Sequence, residues 1–221
     1  MIYGEPGTGK TTASATAPNA IMADAEKGSH FLGSQGLDID IASITSWSEM
    51  SEFYKEAQDY DTVVLDPVGE LMDKIIQQCI DEGLKSKSGT LTLQGWGVAK
   101  MKMKKMLTSF RDLDANLIIV AHSEETKTDK GLVKRPKIQS KLVDDMEAMM
   151  DVIGYLQVIE TEEKQERRLY VQPTEEYHAK DRTGCLPEYI KPTWQDLIKH
   201  IEKKKESGNG TAKNKKKSGK K

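Results

Sequence analysis

Cysteine and long hydrophobic runs are scarce in this chain of 221 residues. Its two cysteines, Cys79 and Cys185, lie far apart in the sequence. This spacing argues against a disulfide framework and favours a reduced, intracellular protein in which each thiol is a small buried hydrophobe. The aliphatic runs are brief, with nothing near the length of a membrane span and no hydrophobic core of a signal peptide. We therefore expect a cytoplasmic protein with no membrane partner.

Charge is divided unevenly along the chain, although its net charge is only -2. Residues 203–221 hold nine lysines and a single acid, Glu206, so residues 1–202 carry 24 basic and 34 acidic side chains. This Lys-rich tail contains no large hydrophobic residue, and we expect it to be disordered. It is either a salt-sensitive electrostatic tether for nucleic acid or a solubilising end without a specific partner. Residues 1–202 suit one α/β domain.

Glycines are concentrated near the amino end, in Gly-Glu-Pro-Gly-Thr-Gly-Lys-Thr at residues 4–11. The spacing matches G-x-x-x-x-G-K-[ST], a loop whose backbone N–H groups curl around phosphates in front of a helix N-terminus. It predicts that ATP binds here, with Lys10 reaching the β- and γ-phosphates and the Thr11 hydroxyl binding Mg²⁺. A chance glycine-rich turn is the alternative. The predicted nucleotide-binding residues are Gly4, Glu5, Pro6, Gly7, Thr8, Gly9, Lys10, Thr11 and Thr12.

Apolar strands and amphipathic helices alternate along residues 1–202. Strands are expected at 1–3, 20–26, 39–44, 62–66 and 116–121, and as a hairpin near 152–160 and 168–173. Helices are expected at 11–17, 48–59, 68–82, 98–113, 142–150 and 193–203. The alternation predicts an α/β fold with a mostly parallel central sheet, helices on both faces and a C-terminal β-hairpin. Ligand should bind at the carboxyl ends of the strands, where Gly4, Glu26, Asp66 and His122 fall.

The helix predicted at 98–113 has two contrasting faces. Its apolar residues recur at helical spacing and indicate a stripe that faces the core; they are Ala99, Met103, Met106, Leu107 and Phe110. The opposite face is typical of a solvated surface and carries Lys100, Lys102, Lys104, Lys105 and Arg111.

Two acids that follow predicted strands are candidates for the chemistry. Asp66 ends an apolar run and would hold a magnesium-bound water opposite the phosphate loop. The next residue is Pro67 rather than a second acid, so the group that orients the attacking water must come from elsewhere. Glu26, just past the second strand, is the candidate for that role. An ordinary polar strand end or helix cap is the alternative for Glu26.

Residues 24–26, 36–40 and 63–68 resemble successive segments of the RecA recombinase core. The helix leading to strand 117–121 and to His122 is similar too. The resemblance implies a RecA-like P-loop NTPase fold in which the residue at position 122 senses the γ-phosphate and leads into a DNA-binding loop. The recombinases usually carry Gln there, and His can donate the same hydrogen bond. A strand-end histidine satisfied by backbone is the alternative.

Ala-Lys-Asp-Arg-Thr-Gly at residues 179–184 resembles the Lys-Asn-Arg-Phe-Gly signature of the RadA branch of RecA-like ATPases. The resemblance implies that Lys180 and Arg182 reach into a neighbouring subunit's nucleotide site, so the protein would be a homo-oligomer. Asp181 and Thr183 depart from the signature, and a charged β-turn is the alternative. The predicted catalytic residues are Lys10, Glu26, His122, Lys180 and Arg182.

Two predicted loops carry basic residues that could contact single-stranded DNA. Loop 123–141 follows the sensor position, so nucleotide state could order or release it; its basic residues are Lys127, Lys130, Lys134, Arg135, Lys137 and Lys141. We expect the sugar-phosphate backbone of single-stranded DNA to bind this loop and the Lys-rich tail, without sequence preference. A plain solvated loop is the alternative for residues 123–141. In loop 84–97, Lys85, Lys87 and Trp96 could pair with phosphates and stack on a base, but packing by Trp96 is the favoured interpretation.

The arrangement as a whole resembles small phage-type RecA-like ATPases, nucleotide-binding or single-strand-annealing proteins, over about residues 1–200. It implies an ATPase that acts on single-stranded DNA in recombination, annealing or replication, with proteins of those processes as candidate partners and the host cytoplasm as location. Two other classes stay open. One is an ATP-gated interaction module such as a helicase loader. The other is a small-molecule nucleotide kinase, which the five scattered arginines disfavour.

Overall fold

The computed structural model describes residues 1–129, 131–139, 142–162 and 164–208, with side chains described as far as Lys203. Its strands are β1 (Ile2–Gly4), β2 (Ala20–Asp24), β3 (Ile39–Ser43), β4 (Thr62–Asp66), β5 (Asn116–Thr128), β6 (Gly131–Pro136), β7 (Val152–Glu160), β8 (Gln165–Tyr170), β9 (Lys180–Asp181) and β10 (Tyr189–Ile190). Its α-helices are α1 (Lys10–Ser14), α2 (Met50–Glu56), α3 (Val68–Asp81), α4 (Leu93–Arg111), α5 (Leu142–Met149) and α6 (Trp194–Gly208).

A mixed sheet of ten strands forms the centre, in the order β10-β8-β7-β1-β5-β4-β2-β3, with β6 paired to β5 and β9 to β7. The six strands from β7 to β3 in this order run parallel to one another. Strands β8, β10, β6 and β9 are antiparallel to their neighbours. The predicted mostly parallel α/β sheet and its β7–β8 hairpin are therefore confirmed, with β8 beginning three residues earlier than expected.

Helices cover both faces of the sheet, as alternate residues of the buried strands show. Ile21, Val63 and Leu65 belong to the large hydrophobic cluster that includes residues of α2, α3, α4 and α5. The intervening residues Met22 and Val64 pack on the other side, in a cluster with Ala15 just after α1. Strands β2 and β4 are buried at every position, as expected for central parallel strands covered on both sides.

Helix α4 confirms the predicted apolar stripe and corrects the predicted loop before it. The five core-facing residues from Ala99 to Phe110 are all buried. The helix begins at Leu93, five residues earlier than expected, because the Thr92 hydroxyl caps it by accepting a hydrogen bond from the Gly95 backbone N–H at 3.0 Å. Trp96 therefore lies in the helix and packs against the core, so the predicted loop 84–97 is shortened at its carboxyl end.

The predicted loop at 123–141 is largely a β-hairpin. Strand β5 continues past residue 121 to Thr128 and pairs with β6 in antiparallel register, from Ser123 opposite Pro136 to Thr128 opposite Gly131. The mixture of charged residues with threonine and valine hides the strand pattern in the sequence. We call residues 123–136 the β5–β6 hairpin, excepting Lys130, which lies outside the described residues, as does Lys141.

Helix α6 closes the described chain and extends to Gly208. It thus ends five residues later than expected and includes the first residues assigned to the Lys-rich tail. The predicted disorder of residues 209–221 falls outside the described residues. Of the helices described here, none is both long enough and apolar enough to cross a membrane.

Candidate active site

Three glycines shape the loop between β1 and α1. Gly7 and Gly9 have φ values of 77° and 96°, a left-handed conformation that side chains with a Cβ disfavour. At Gly4 a Cβ would overlap the Leu156 carbonyl oxygen of β7. The loop therefore needs glycine at each position, and its backbone N–H groups precede the first turn of α1, the arrangement that binds phosphate. Of the nine predicted nucleotide-binding residues, Gly4 ends β1, and residues 5–12 lie in this loop and that turn.

The Lys10 side chain is folded into the loop. Its ammonium donates a 2.9 Å hydrogen bond to the Glu5 carbonyl oxygen, which also accepts a 2.9 Å bond from the Thr8 hydroxyl. Lys10 is only 7% exposed. Burial lowers the pKa of Lys10, and the nearby carboxylates of Asp66, Glu26 and Glu5 oppose this change. The loop thus holds a cation where a polyphosphate would lie, with acids close by.

Asp66 ends β4 beside this cation. It is 7% exposed, and its Oδ2 atom is buried with no hydrogen-bond partner among the described residues. Burial raises the pKa of Asp66 to about 6, while the Thr11 hydroxyl and the Lys10 ammonium oppose the rise. A buried carboxylate oxygen without a partner costs free energy unless water or a cation satisfies it.

The Thr11 hydroxyl and the Asp66 carboxylate fit a magnesium ion whose other ligands would be water and the phosphate oxygens of a bound nucleotide. Mg²⁺ takes oxygen ligands and keeps several waters, so one hydroxyl and one carboxylate suffice when phosphates supply the rest. Thr11 and Asp66 are such a pair. In the described ranges, no group of three or more His, Cys, Asp or Glu forms a dedicated metal site.

Glu26 is positioned by a turn that Asp24 holds. The Asp24 carboxylate accepts hydrogen bonds from the backbone N–H groups of Glu26, Gly28 and Ser29 and from the Ser29 hydroxyl. In this turn, the exposed Glu26 carboxylate lies near Lys10 and Asp66, since it influences the pKa of both. Sequence reasoning missed the positioning residue Asp24, although its place at the end of an apolar run was a usable signal.

His122 meets Glu26 above the end of β4. Its Nε2 atom lies 2.9 Å from Glu26 Oε1, and its backbone carbonyl accepts a 2.7 Å bond from the Lys137 N–H. The imidazole ring of His122 therefore contacts a carboxylate. The hydrogen bond to backbone is made by the main-chain carbonyl of His122 and not by its ring. The register of β5 places His122 opposite Gly4, so the structure brings together Lys10, Glu26, Asp66 and His122 at one edge of the sheet.

The β5–β6 hairpin contacts the phosphate loop directly. The Ser123 hydroxyl donates a 2.6 Å hydrogen bond to Glu5 Oε1, and the Lys134 ammonium lies 3.9 Å from the same oxygen. Lys134 also donates a 3.1 Å hydrogen bond to the Tyr155 hydroxyl. The residue after the predicted sensor is thus joined to the loop, a contact that the sequence did not predict.

Arg167 of β8 lies against the phosphate loop and was also missed. Its Nε donates a 3.1 Å hydrogen bond to the Thr8 carbonyl oxygen. A Cβ on Gly9 would lie 3.1 Å from the same Nε, so the absent side chain of Gly9 makes room for the arginine. No local motif marks Arg167, because the contact depends on the pairing of β8 with β7.

Lys180 and Arg182 lie at the other end of the sheet. Strand β9 pairs with Val152 and Ile153, the first residues of β7, whereas the phosphate loop follows the last residue of parallel β1. Lys180 donates to the Glu147 carbonyl at 2.8 Å. Arg182 donates to Asp151 Oδ1 and the Ala148 carbonyl at 3.0 and 2.8 Å. Among the contacts of the described residues, neither side chain reaches the phosphate loop of its own chain.

A mostly parallel sheet with a phosphate loop after β1 and a buried acid ending β4 is the arrangement of a P-loop nucleotide-binding domain. Residues 1–183 match the AAA domain family, and the chain belongs to that family. Among curated proteins, none matches the sequence. Among solved structures, a KaiC-like protein from the hyperthermophilic archaeon Pyrococcus horikoshii OT3 is similar, with a TM-score of 0.45 and 14% identity over 76% of this chain and 75% of that chain.

Proposed function

We propose that this protein is a magnesium-dependent ATPase whose turnover is coupled to single-stranded DNA, in recombination, annealing or replication. The observation that carries the proposal is the cluster at the carboxyl ends of β1, β4 and β5. There the buried Lys10 ammonium lies near the Asp66 and Glu26 carboxylates, and Asp66 keeps one oxygen without a partner among the described residues. Positioned charge of this kind supplies most of the catalysis in phosphoryl transfer.

Each side chain has a distinct role in this proposal. Bound Mg²⁺ would neutralise charge on the β- and γ-phosphates and be held by Thr11 and, through water, Asp66. Lys10 exchanges its hydrogen bond to the Glu5 carbonyl for phosphate oxygens. Glu26 accepts a proton from the attacking water and orients it in line with the γ-phosphate. His122 holds the Glu26 carboxylate and is the group that exchanges this contact for one with the γ-phosphate.

Arg167 acts in this proposal as a positioning residue of the loop. By holding the Thr8 carbonyl, it would fix the backbone of the loop and so the directions of the neighbouring N–H groups. Such pre-organisation strengthens binding because less conformational freedom is lost when the nucleotide arrives.

Single-stranded DNA would bind the β5–β6 hairpin. Lys127 lies on β5 and Lys137 just after β6, and neither forms an ion pair with another described residue. The Ser123 hydroxyl links the hairpin to Glu5, so a change in the loop on ATP binding would be transmitted to the hairpin. Exposed lysines without a base-reading motif favour binding to the phosphate backbone.

Lys180 and Arg182 can reach a nucleotide only in a second subunit, since they lie at the opposite end of their own sheet. We propose a homo-oligomer in which they act in trans, as an arginine finger does in related chemistry. Their present hydrogen bonds to α5 and Asp151 would have to be exchanged for contacts with the neighbouring site.

An ATP-gated interaction module, such as a helicase loader, is the second candidate, favoured by one observation. Two of the hairpin's basic residues are already engaged inside the molecule: Lys134 by the Tyr155 hydroxyl, and Arg135 by Glu147 at 3.1 Å. They are less available to DNA than the sequence indicates. A kinase is disfavoured, because among the five arginines, all of them in described ranges, only Arg167 contacts the phosphate loop.

One experiment distinguishes these functions: ATP turnover and oligomeric mass measured with and without single-stranded DNA, using Lys10→Ala as the inactive control. Turnover that rises with DNA, together with a multimeric mass, supports the proposal. DNA-independent turnover favours the interaction module. Phosphate transfer to nucleoside monophosphates would identify a kinase instead.

A further inference from the structure

A groove unrelated to the phosphate loop lies between α2 and α4. It encloses about 670 Å³ and is lined by residues 47–58 on one side and by α4 on the other. Its floor is formed by the buried side chains of Met50, Met106 and Phe110. Trp47 and Tyr54 line its walls half-buried, and the Tyr54 ring stands edge-on to Phe110 with 5.3 Å between centroids.

Lysines surround this apolar floor. Lys55, Lys102 and Lys105 line the groove, and none of its lining residues is acidic. Lys102 is neutralised by Glu82 at 2.9 Å, whereas Lys55 and Lys105 are exposed and form no ion pair within the described part of the chain. Residues 1–202 carry ten more acids than bases, so a groove lined only by basic charges contrasts with the rest of the domain.

The groove also contains a hydrogen-bond acceptor without a donor. Gln78 of α3 lines it, and its Nε2 donates to Glu82 Oε1 at 2.8 Å. Its Oε1 is buried and accepts no hydrogen bond from any described residue. A buried acceptor in this state is costly, and a backbone N–H of a bound segment would satisfy it.

We propose that the α2–α4 groove binds an acidic peptide segment of a partner protein, anchored by an aromatic or aliphatic side chain. The anchor packs on Met50, Met106 and Phe110, where methionines adapt to the shape of the ligand. Acidic residues beside the anchor pair with Lys55 and Lys105. The half-buried rings of Trp47 and Tyr54 pack against the core, so a peptide side chain fits between them better than a stacked nucleic-acid base, which needs an open ring face.

The test is fluorescence anisotropy with a labelled synthetic peptide in which aspartates flank a Phe-Leu pair, titrated with the full chain. We expect saturable binding that weakens as salt rises, because the lysines are solvent-exposed. Replacing Phe-Leu by Ser-Ser in the peptide should abolish it. Lys105→Glu should weaken binding by about tenfold or more, since repulsion replaces attraction at the rim. Lys55→Glu, on the facing helix, should have the same effect.

Lys104→Glu is the matched control. Lys104 is the neighbour of Lys105 on the same helix and is also exposed, but it lies outside the groove and pairs with Asp145 at 3.2 Å. Thermal unfolding of all variants checks that they fold. Absence of binding by the folded wild type, or equal losses in Lys104→Glu and Lys105→Glu, would overturn the proposal. Displacement of the peptide by oligo-dT, with loss of oligo-dT binding in Lys105→Glu, would assign the groove to nucleic acid instead.

Discussion

His122 Nε2 and Glu26 Oε1 lie 2.9 Å apart, and the pair spans the end of β4. Because β4 lies between β5 and β2 in the sheet, this contact closes over Asp66, the last residue of β4. The two side chains that sequence reasoning assigned separately to sensing and to water activation are therefore in direct contact. In the proposed mechanism, nucleotide binding starts hydrolysis when His122 releases Glu26.

Substitutions at this pair should separate binding from chemistry. Glu26→Gln should lower kcat by about 10²–10⁴, the usual contribution of a general base, and leave the KM for ATP nearly unchanged. His122→Gln keeps a hydrogen-bond donor to Glu26 and to a γ-phosphate, so it should retain more turnover than His122→Ala. Steady-state kinetics measure both values. Equal activities of His122→Gln and His122→Ala would show that the hydrogen bond has no part in turnover.

The raised pKa of Asp66 leads to a prediction of how magnesium binding depends on pH. Its pKa is raised to about 6 by burial, so the carboxylate is charged above that pH and protonated below it. Magnesium needs the charged form, so MgATP affinity should fall as pH decreases through about 6, and binding near that pH should release protons. Calorimetry in buffers of different ionisation enthalpy measures this release.

Asp66→Asn is the control for the pH experiment, because both proteins bind the same titrating nucleotide. The variant should bind MgATP more weakly at neutral pH and show a flatter pH profile than the wild type. A wild-type profile that matches that of Asp66→Asn would exclude Asp66 from the metal site.

Arg167→Ala tests whether the arginine positions the phosphate loop. The variant loses one charge-assisted hydrogen bond to the Thr8 carbonyl. A loss of about 1.4 kcal/mol in binding free energy corresponds to a tenfold change in affinity. Because the Arg167 side chain is exposed, we expect a smaller loss, and the KM for ATP should rise several-fold. The thermal midpoint should change little. Arg168→Ala is the matched control, because Arg168 pairs with Glu166 and stacks on Tyr189. If both variants raise KM equally, Arg167 has no special relation to the loop.

Gly4→Ala should destabilise the fold, because the new Cβ would overlap the Leu156 carbonyl oxygen of the neighbouring strand. We expect a loss of about 1–3 kcal/mol in the free energy of unfolding, the usual cost of overpacking. Gly28→Ala, where a Cβ meets nothing within 4 Å, should lose far less. Urea denaturation measures both, and equal stabilities would mean that the approach of β7 to Gly4 is not close in solution.

Sequence patterns over a few consecutive residues were enough to predict the elements whose structure depends mainly on those residues. The phosphate loop and β4 are recognisable within eight residues or fewer, since glycine spacing and a β-branched run are enough. The β5–β6 hairpin was not predicted, because charged residues on both strands conceal the alternation. The hairpin is held by β-pairing and by contacts such as Ser123 to Glu5, which no local pattern encodes.

Contacts between distant residues account for the remaining differences. Glu26 and His122 were each predicted to lie at the carboxyl edge of the sheet, but their mutual contact spans 96 residues of sequence. Arg167 and Thr8 are separated by 159 residues, and only the strand order brings them together. The trans-acting role of Lys180 and Arg182 at residues 179–184 stays a prediction, and no local pattern gives their place in the sheet, which depends on β9 pairing at the start of β7.

In the proposed function, Lys10 and Asp66 bind MgATP together at the amino-terminal loop. Isothermal titration calorimetry of the full chain with MgATP, compared with Lys10→Ala and Asp66→Asn, tests it most directly. We expect one saturable site per chain in the wild type, loss of binding in Lys10→Ala, and loss of the magnesium-dependent part of the affinity in Asp66→Asn. Wild-type protein that binds no MgATP, or Lys10→Ala protein that binds as tightly as the wild type, would contradict it.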